Sequence, residues 1–226
     1  MKEEFNYSSD PLIKDIQERL HKHNKNWLCL MVGQTGTGKS YNAMALADAI
    51  DPDFTIAKVI PRPLDFADGV VNYTFKRGAV IVLDEIGVAM NARRSSDDLN
   101  VALSNIFQTF RRWNIGVIYT VPSGLMVDKN VRRLIHDYVV TDYIDEKKKL
   151  CAVRWYRVKN DPITDKIFLQ KPRYEIKDGI PAIVNSIFIP IPRKKLCDDY
   201  EVLDKKFKHE VALKAREKLE KIFKRG

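Results

Sequence analysis

The sequence is poor in cysteine, and its three, Cys29, Cys151 and Cys197, stand far apart. Their spacing matches no metal-ligand pattern and offers no disulfide framework. Cys29 lies inside an apolar run and reads as a buried thiol, a usage that fits a reducing compartment. The chain also lacks any apolar run near the roughly 20 residues that a bilayer-spanning helix needs. Its most apolar late stretch, Ile180–Pro192, is broken by three prolines and an asparagine. The opening Met-Lys-Glu-Glu-Phe carries no apolar core of a secretory signal. Internal repeats and low-complexity tracts are missing too. These absences lead to the expectation of a soluble, cytoplasmic protein without membrane insertion.

What is present suits one α/β core. The 226 residues are enough for one such core and too few for two, with 45% apolar and 31% charged residues. The 39 basic against 30 acidic residues give a formal net charge of +9, which favours an anionic partner, nucleic acid first. Solvated lysine-rich faces alone would give the same balance.

Ser9-Asp10-Pro11 is a helix start, a capping side chain followed by proline, and Leu12, Ile13, Ile16 and Leu20 recur at helical spacing. Trp27–Val32 reads as a buried strand and Tyr41–Ile50 as a helix after a glycine-rich loop. A second strand is expected over Phe54–Ile60, then a helix and a short strand within Leu64–Arg77. Ala79–Leu83 is an uninterrupted apolar run, the sign of a strand covered on both faces. A helix follows over Asp97–Trp113, a strand over Ile115–Val121, a helix over Lys129–His136 and a strand over Tyr138–Val140. This alternation predicts a mostly parallel sheet between helices. Leu150–Val158 and Lys166–Gln170 read as antiparallel additions, with a turn at Asp145–Lys149, and a charged basic helix runs from Asp199 to the end. The expected division is a core over 1–142 and an extension over 143–226 packed on the same core.

Residues 33–40, Gly-Gln-Thr-Gly-Thr-Gly-Lys-Ser, match G-x-x-x-x-G-K-[ST] at Gly33, Gly38, Lys39 and Ser40. Glycines are required because backbone N–H groups must turn inward around phosphate oxygens, where side chains would intrude. Lys39 brings a positive charge to the β- and γ-phosphates, Ser40 a hydroxyl for Mg²⁺, and the following helix its positive end. The candidate ATP-binding residues are therefore Gly33, Gln34, Thr35, Gly36, Thr37, Gly38, Lys39, Ser40 and Tyr41. The pattern follows an apolar strand and opens a helix, which makes an incidental glycine turn a poor explanation.

The strand ending Leu83-Asp84-Glu85 places two carboxylates at its carboxyl end, where open α/β sheets bind ligands. Asp84 is the candidate to hold Mg²⁺ with Ser40, and Glu85 to orient and deprotonate the attacking water. The bland alternative for either acid is a cap or a pair with a nearby lysine. Thr120, at the tip of Val117-Ile118-Tyr119-Thr120, is the candidate sensor, with Ser123 in reserve; a β-branched residue simply ending a strand is the competing explanation. Among the arginine pairs, Arg111-Arg112 closes the helix after the acidic pair and is preferred to Arg93-Arg94 as a finger acting in trans. Cations at a helix end are favoured by the dipole alone, so that role stays open.

A glutamate directly after this aspartate resembles the ASCE division of P-loop proteins, whose members mostly hydrolyse ATP. Gly33–Ser40, Leu83-Asp84-Glu85, Phe110-Arg111-Arg112 and Thr120-Val121-Pro122 together resemble the FtsK–HerA superfamily, over residues 27–142 and most closely in its compact viral genome-packaging members. The resemblance implies a RecA-like (ASCE) core, ATP and Mg²⁺, a hexameric or pentameric ring, and double-stranded DNA as the moved partner, with a capsid or assembly protein beside it and the host cytoplasm as its place. That family has a glutamine near the strand tip where this chain reads Thr120-Val121-Pro122, and nothing after residue 142 matches a family motif. The motor domain is also similar to the zonula occludens toxin-like group of filamentous phages, which implies a nucleotide-gated assembly protein. A replication helicase uses the same core.

Overall fold

The computed structural model describes residues 10–84, 93–109, 113–145, 147–176, 180–183 and 186–224, with the side chains of 93–100, 175, 176 and 180–182 left out of the description. Helix α1, Pro11–His21, starts as its sequence requires: the Asp10 carboxylate accepts from the Leu12 amide at 2.8 Å, and Leu12, Ile13, Ile16 and Leu20 are buried. Strand β1, Trp27–Val32, is buried along its whole length and leads through the glycine loop into α2, Lys39–Ile50. Then come β2 (Val59–Ile60), α3 (Pro63–Val71), β3 (Val80–Leu83), α4 (Arg93–Thr109), β4 (Gly116–Val121) and α5 (Lys129–Leu134). Strands β5 (Asp137–Asp145), β6 (Leu150–Asn160), β7 (Ile167–Gln170), β8 (Arg173–Ile176), β9 (Ile180–Ile183) and β10 (Ile187–Pro190) follow.

The result is an α/β fold with a mixed, mostly parallel sheet in the order β10-β6-β5-β1-β4-β3-β2, with β7 also paired to β6. Strands β1 to β5 are mutually parallel, while β6 runs antiparallel to β5 and accepts β10 and β7 along its other edge. Strands β8 and β9 form a separate hairpin. Period-two alternation sends Leu28, Leu30 and Val32 of β1 to one face, where they join Phe66 and Val70 of α3, Leu103 and Phe107 of α4 and Val131 of α5. Cys29 and Met31 therefore belong to the opposite face, and α1 and α2 pack beside β1 outside that cluster.

The chain divides into two compact units, residues 1–192 and 193–226. The sheet continues past residue 142, since β6, β7 and β10 extend it. The second unit is α6, Lys194–Phe223, a charged helix with i,i+4 pairs Lys208–Asp204 and Arg216–Glu220. Among the described residues no helix is long and apolar enough to cross a membrane.

Several expected elements are corrected. The strand over Phe54–Ile60 shrinks to Val59–Ile60 behind a 3-10 turn at Ile56–Lys58. Lys58 reaches back to the Asp51 carboxylate at 2.6 Å and the Asp53 carbonyl at 2.8 Å, which ties the segment into a turn. The short strand expected before Arg77 does not form, because the amides of Asn72, Tyr73 and Thr74 close onto carbonyls of the last turns of α3. Helix α4 starts at Arg93, four residues ahead of Asp97, and α5 stops at Leu134, where Ile135 turns extended and the His136 ring accepts the Leu28 amide at 3.0 Å. Strand β5 is longer than Tyr138–Val140 because β6 pairs with it, and α6 begins at Lys194 rather than Asp199.

Among the described residues of the first unit one carboxylate is fully buried. Asp137, at the start of β5, is 0% exposed and accepts from Trp155 Nε1 at 2.8 Å, Trp27 Nε1 at 2.7 Å and Arg157 Nη1 at 3.2 Å. Burial pushes its carboxyl above the ordinary carboxylate value, and Arg157 and the two indoles pull part of the way back.

Candidate nucleotide site

The loop leaves β1 at Val32 and enters α2 at Lys39, capped by Gly38 in the left-handed region at φ 78°, with Gly36 at φ 87°. A side chain at Gly38 would be strained by that φ and would meet Ile144 of β5 at 2.6 Å. At Gly33 the obstacle is space alone, because a Cβ would lie 2.0 Å from Thr141 Oγ1. Both glycines are thus demanded by β5, a neighbour more than a hundred positions away. The Thr37 and Thr141 hydroxyls lie 2.7 Å apart, with the Gln34 and Val32 carbonyls as acceptors at 2.8 and 3.2 Å. Lys39 Nζ donates to the Gln34 carbonyl at 2.9 Å and so folds across its own loop. Gln34, Thr35 and Gly36 are exposed, while Ser40 and Tyr41 are half-buried on the first turn of α2.

Asp84 follows β3 and is buried. Its Oδ1 accepts from Ser40 Oγ at 3.0 Å and from Thr120 Oγ1 at 2.7 Å. Strand order explains why these three meet. β4 lies between β1 and β3, in register Met31↔Thr120 and Leu83↔Tyr119, so Thr120 ends beside Asp84 with the loop on its other flank. All three stand at the carboxyl end of the parallel strands, below the positive end of α2. A hydroxyl and a carboxylate 3.0 Å apart are hard oxygen donors of the kind Mg²⁺ takes. Among the described residues no group of three or more His, Cys, Asp or Glu could hold a metal. That does not disfavour Mg²⁺, which binds through one or two protein oxygens plus phosphate and water.

Glu85, Arg111 and Arg112 lie outside the described residues. Ser123 is not brought to the cluster: its hydroxyl accepts from the Leu125 amide at 3.3 Å and caps the 3-10 turn Gly124–Met126. The sequence reading missed Thr141 and Ile144, which shape the loop from β5. Thr141 carries no local signal, since its partner Thr37 is 104 positions away.

The class that the fold defines is an α/β protein with a mixed, mostly parallel sheet, and a glycine-rich, lysine-bearing loop stands at the carboxyl end of its parallel strands with a buried carboxylate beside it. A family model described as Zonular occludens toxin (Zot) matches residues 63–177, just over half of the chain, and the chain belongs to that family. The matched span includes Asp84, Thr120 and Thr141 and starts after the glycine loop. Among solved structures, the N-terminal domain of zonular occludens toxin from Neisseria meningitidis is similar at 14% identity and TM-score 0.38, covering 68% of this chain and 96% of that one. The KaiC-like protein PH0186 from Pyrococcus horikoshii OT3 follows at 14% identity and TM-score 0.36, covering 64% and 89%. The genome packaging NTPase B204 from Sulfolobus turreted icosahedral virus 2, in complex with ATP-gammaS, shows 11% identity and TM-score 0.31, covering 65% and 97%. These structural likenesses are remote. No curated protein matches the sequence.

Proposed function

We propose that this chain is an ATP-hydrolysing Zot-family protein that works as a nucleotide-gated assembly or morphogenesis factor, on a RecA-like (ASCE) core over residues 1–142. The observation that carries the reading is the meeting of Ser40, Asp84 and Thr120 beside the loop that holds Lys39. Family membership favours assembly over the other uses of such a core.

When bound, Mg²⁺–ATP supplies the phosphoanhydride to be cleaved and the metal charge that offsets it. The loop amides and Lys39, whose Nζ now donates to the Gln34 carbonyl, would bind the phosphates. Ser40 and Asp84 would hold the metal. Thr120, bonded to the same Asp84 oxygen, passes a change there into β4. Glu85, next in the chain, orients the water and takes its proton. Arg111 or Arg112 acts on a neighbouring copy in a ring of five or six.

The test is phosphate release from ATP by the full chain. Lys39→Ala should abolish turnover, and Glu85→Gln should keep ATP binding while stopping hydrolysis; undiminished hydrolysis in Lys39→Ala would refute the site. A second reading, a motor that moves double-stranded DNA and packages a viral genome with the FtsK–HerA machines, is favoured by the net charge of +9. Turnover stimulated by long duplex DNA, with a gain that fades as salt rises, selects the motor. Turnover indifferent to DNA selects the assembly factor.

A further inference from the structure

The end of the sheet opposite the glycine loop carries a strongly basic groove. Two adjoining cavities, about 550 and 470 Å³, share Asp15, Arg157 and Lys159 as walls. The topology brings the walls together from four places: Arg19 on α1, Lys25 in the turn before β1, Arg157 and Lys159 at the end of β6, and Lys171 and Arg173 around the start of β8. β5 runs parallel to β1, and Asp137 at its start faces Arg157 across the antiparallel β5–β6 pair, so these groups sit at the amino end of the parallel strands. One length of β1 separates them from the loop, about 20 Å at the usual strand rise.

Six cations line the groove against two carboxylates, Asp15 and Glu18, and Glu18 is engaged by Lys22 at 2.9 Å. Arg157 is held rigid in the floor by Asp137 beneath, Asp15 at 3.1 Å and Tyr174 OH at 3.3 Å. Lys25, Lys159 and Arg173 are exposed and have no acidic partner among the described residues. A single small anion would use one or two of these charges. A row of them along two joined cavities suits a chain of phosphates at regular spacing.

We propose that this groove binds nucleic acid through its phosphate backbone. Among the described residues the rings in the walls are Tyr174, half-buried with its hydroxyl on Arg157, and the imidazoles of His23 and His136, the latter tied to the Leu28 amide, so the groove offers no row of free rings for stacking successive bases. Recognition is therefore sequence-independent and accepts a duplex at least as well as a single strand. The groove does not depend on the nucleotide site proposed above, and the two fail separately.

The experiment is fluorescence anisotropy of a labelled 30-nucleotide single strand and its duplex with the full chain over a salt series. The variants are the triple Lys25→Glu, Lys159→Glu, Arg173→Glu, and the same three changed to Gln in case reversed charges disturb folding, which far-UV circular dichroism would reveal. Controls are Lys39→Ala and the pair Lys205→Glu, Lys206→Glu on α6. Expected are duplex binding by the wild type, a loss of roughly tenfold or more in the triple variants, and a slope of log K against log salt shallower by about 2.7 for three lost phosphate contacts. Both controls should bind like wild type. Unchanged affinity and slope in the triple variants would overturn the proposal, as would loss confined to the α6 pair. A single strand preferred more than tenfold would overturn the backbone-only mode. Binding to phosphatidylserine vesicles without binding to either oligonucleotide would also overturn it.

Discussion

Replacing Asp137 by Asn removes one charge and keeps the shape, and its cost follows from three distances. The carboxylate receives three donors: Trp155 Nε1 at 2.8 Å on Oδ1, and Trp27 Nε1 at 2.7 Å and Arg157 Nη1 at 3.2 Å on Oδ2. An amide has one acceptor oxygen. Its better orientation keeps Trp27 and Arg157 and turns its NH₂ onto the Trp155 N–H, donor against donor. The orphaned indole costs about 1–3 kcal/mol. Loss of the counter-ion under Arg157, itself 28% exposed, brings the total to about 3–5 kcal/mol, the usual range for breaking a buried pair. For a chain of this length that is roughly 6–20 °C in Tm. Thermal unfolding followed by circular dichroism reads the change. Trp155→Phe added to Asp137→Asn removes the orphaned donor and should restore about 1 kcal/mol, a non-additivity that a double-mutant cycle isolates. A loss below about 1 kcal/mol for Asp137→Asn would refute the reasoning, because a buried indole N–H cannot lose its acceptor, and Arg157 its counter-ion, so cheaply.

The pH dependence has a definite sign. Burial holds the folded carboxyl of Asp137 above its ordinary value of 3.8, so between that value and the folded one the native chain binds more protons than the unfolded chain. Its contribution to stability therefore rises as pH falls through that window and is lost as pH rises. The stability gap between wild type and Asp137→Asn should widen on acidification, and a narrowing gap would mean that Arg157 and the indoles outweigh burial. Thr120→Val keeps the strand shape and removes the 2.7 Å donor from Asp84, so stability should fall by about 1.5–3 kcal/mol, with Thr120→Ser recovering most of it. Unaltered denaturant midpoints in the Val variant would count against the cluster. Gly38→Ala forces a left-handed residue against Ile144, and a loss of at least about 1–2 kcal/mol, with weaker nucleotide protection in thermal unfolding, is expected. An Ala variant as stable as wild type would show that the loop relaxes freely.

What the sequence by itself determined was local. The apolar runs at Trp27–Val32 and Val80–Leu83 are strands because a segment buried on both faces has no room for alternation. Asp10-Pro11 starts a helix because its cap lies two residues from the amide it satisfies. The glycines, Lys39 and Ser40 were legible as a candidate site because they form one continuous stretch, and Asp84 because a carboxylate ending an apolar strand is conspicuous. Phe54–Ile60 misled because its apolar content resembles a strand, while the turn is made by Lys58 reaching back to Asp51 and Asp53.

Only the tertiary structure decided the rest. Nothing near Thr120 in sequence says that β4 inserts between β1 and β3, yet that insertion alone puts its hydroxyl on Asp84, 36 positions away. Thr141 presses on Gly33, and Asp137 receives Trp27 from 110 positions away, because β5 and β6 chose their neighbours and register. The cations of the groove come from α1, the turn before β1, the end of β6 and the start of β8, separate stretches that read as ordinary surface charge. Strand order is set by which buried faces cover one another once the chain collapses, and that competition between distant segments leaves no mark at the spacing of neighbours.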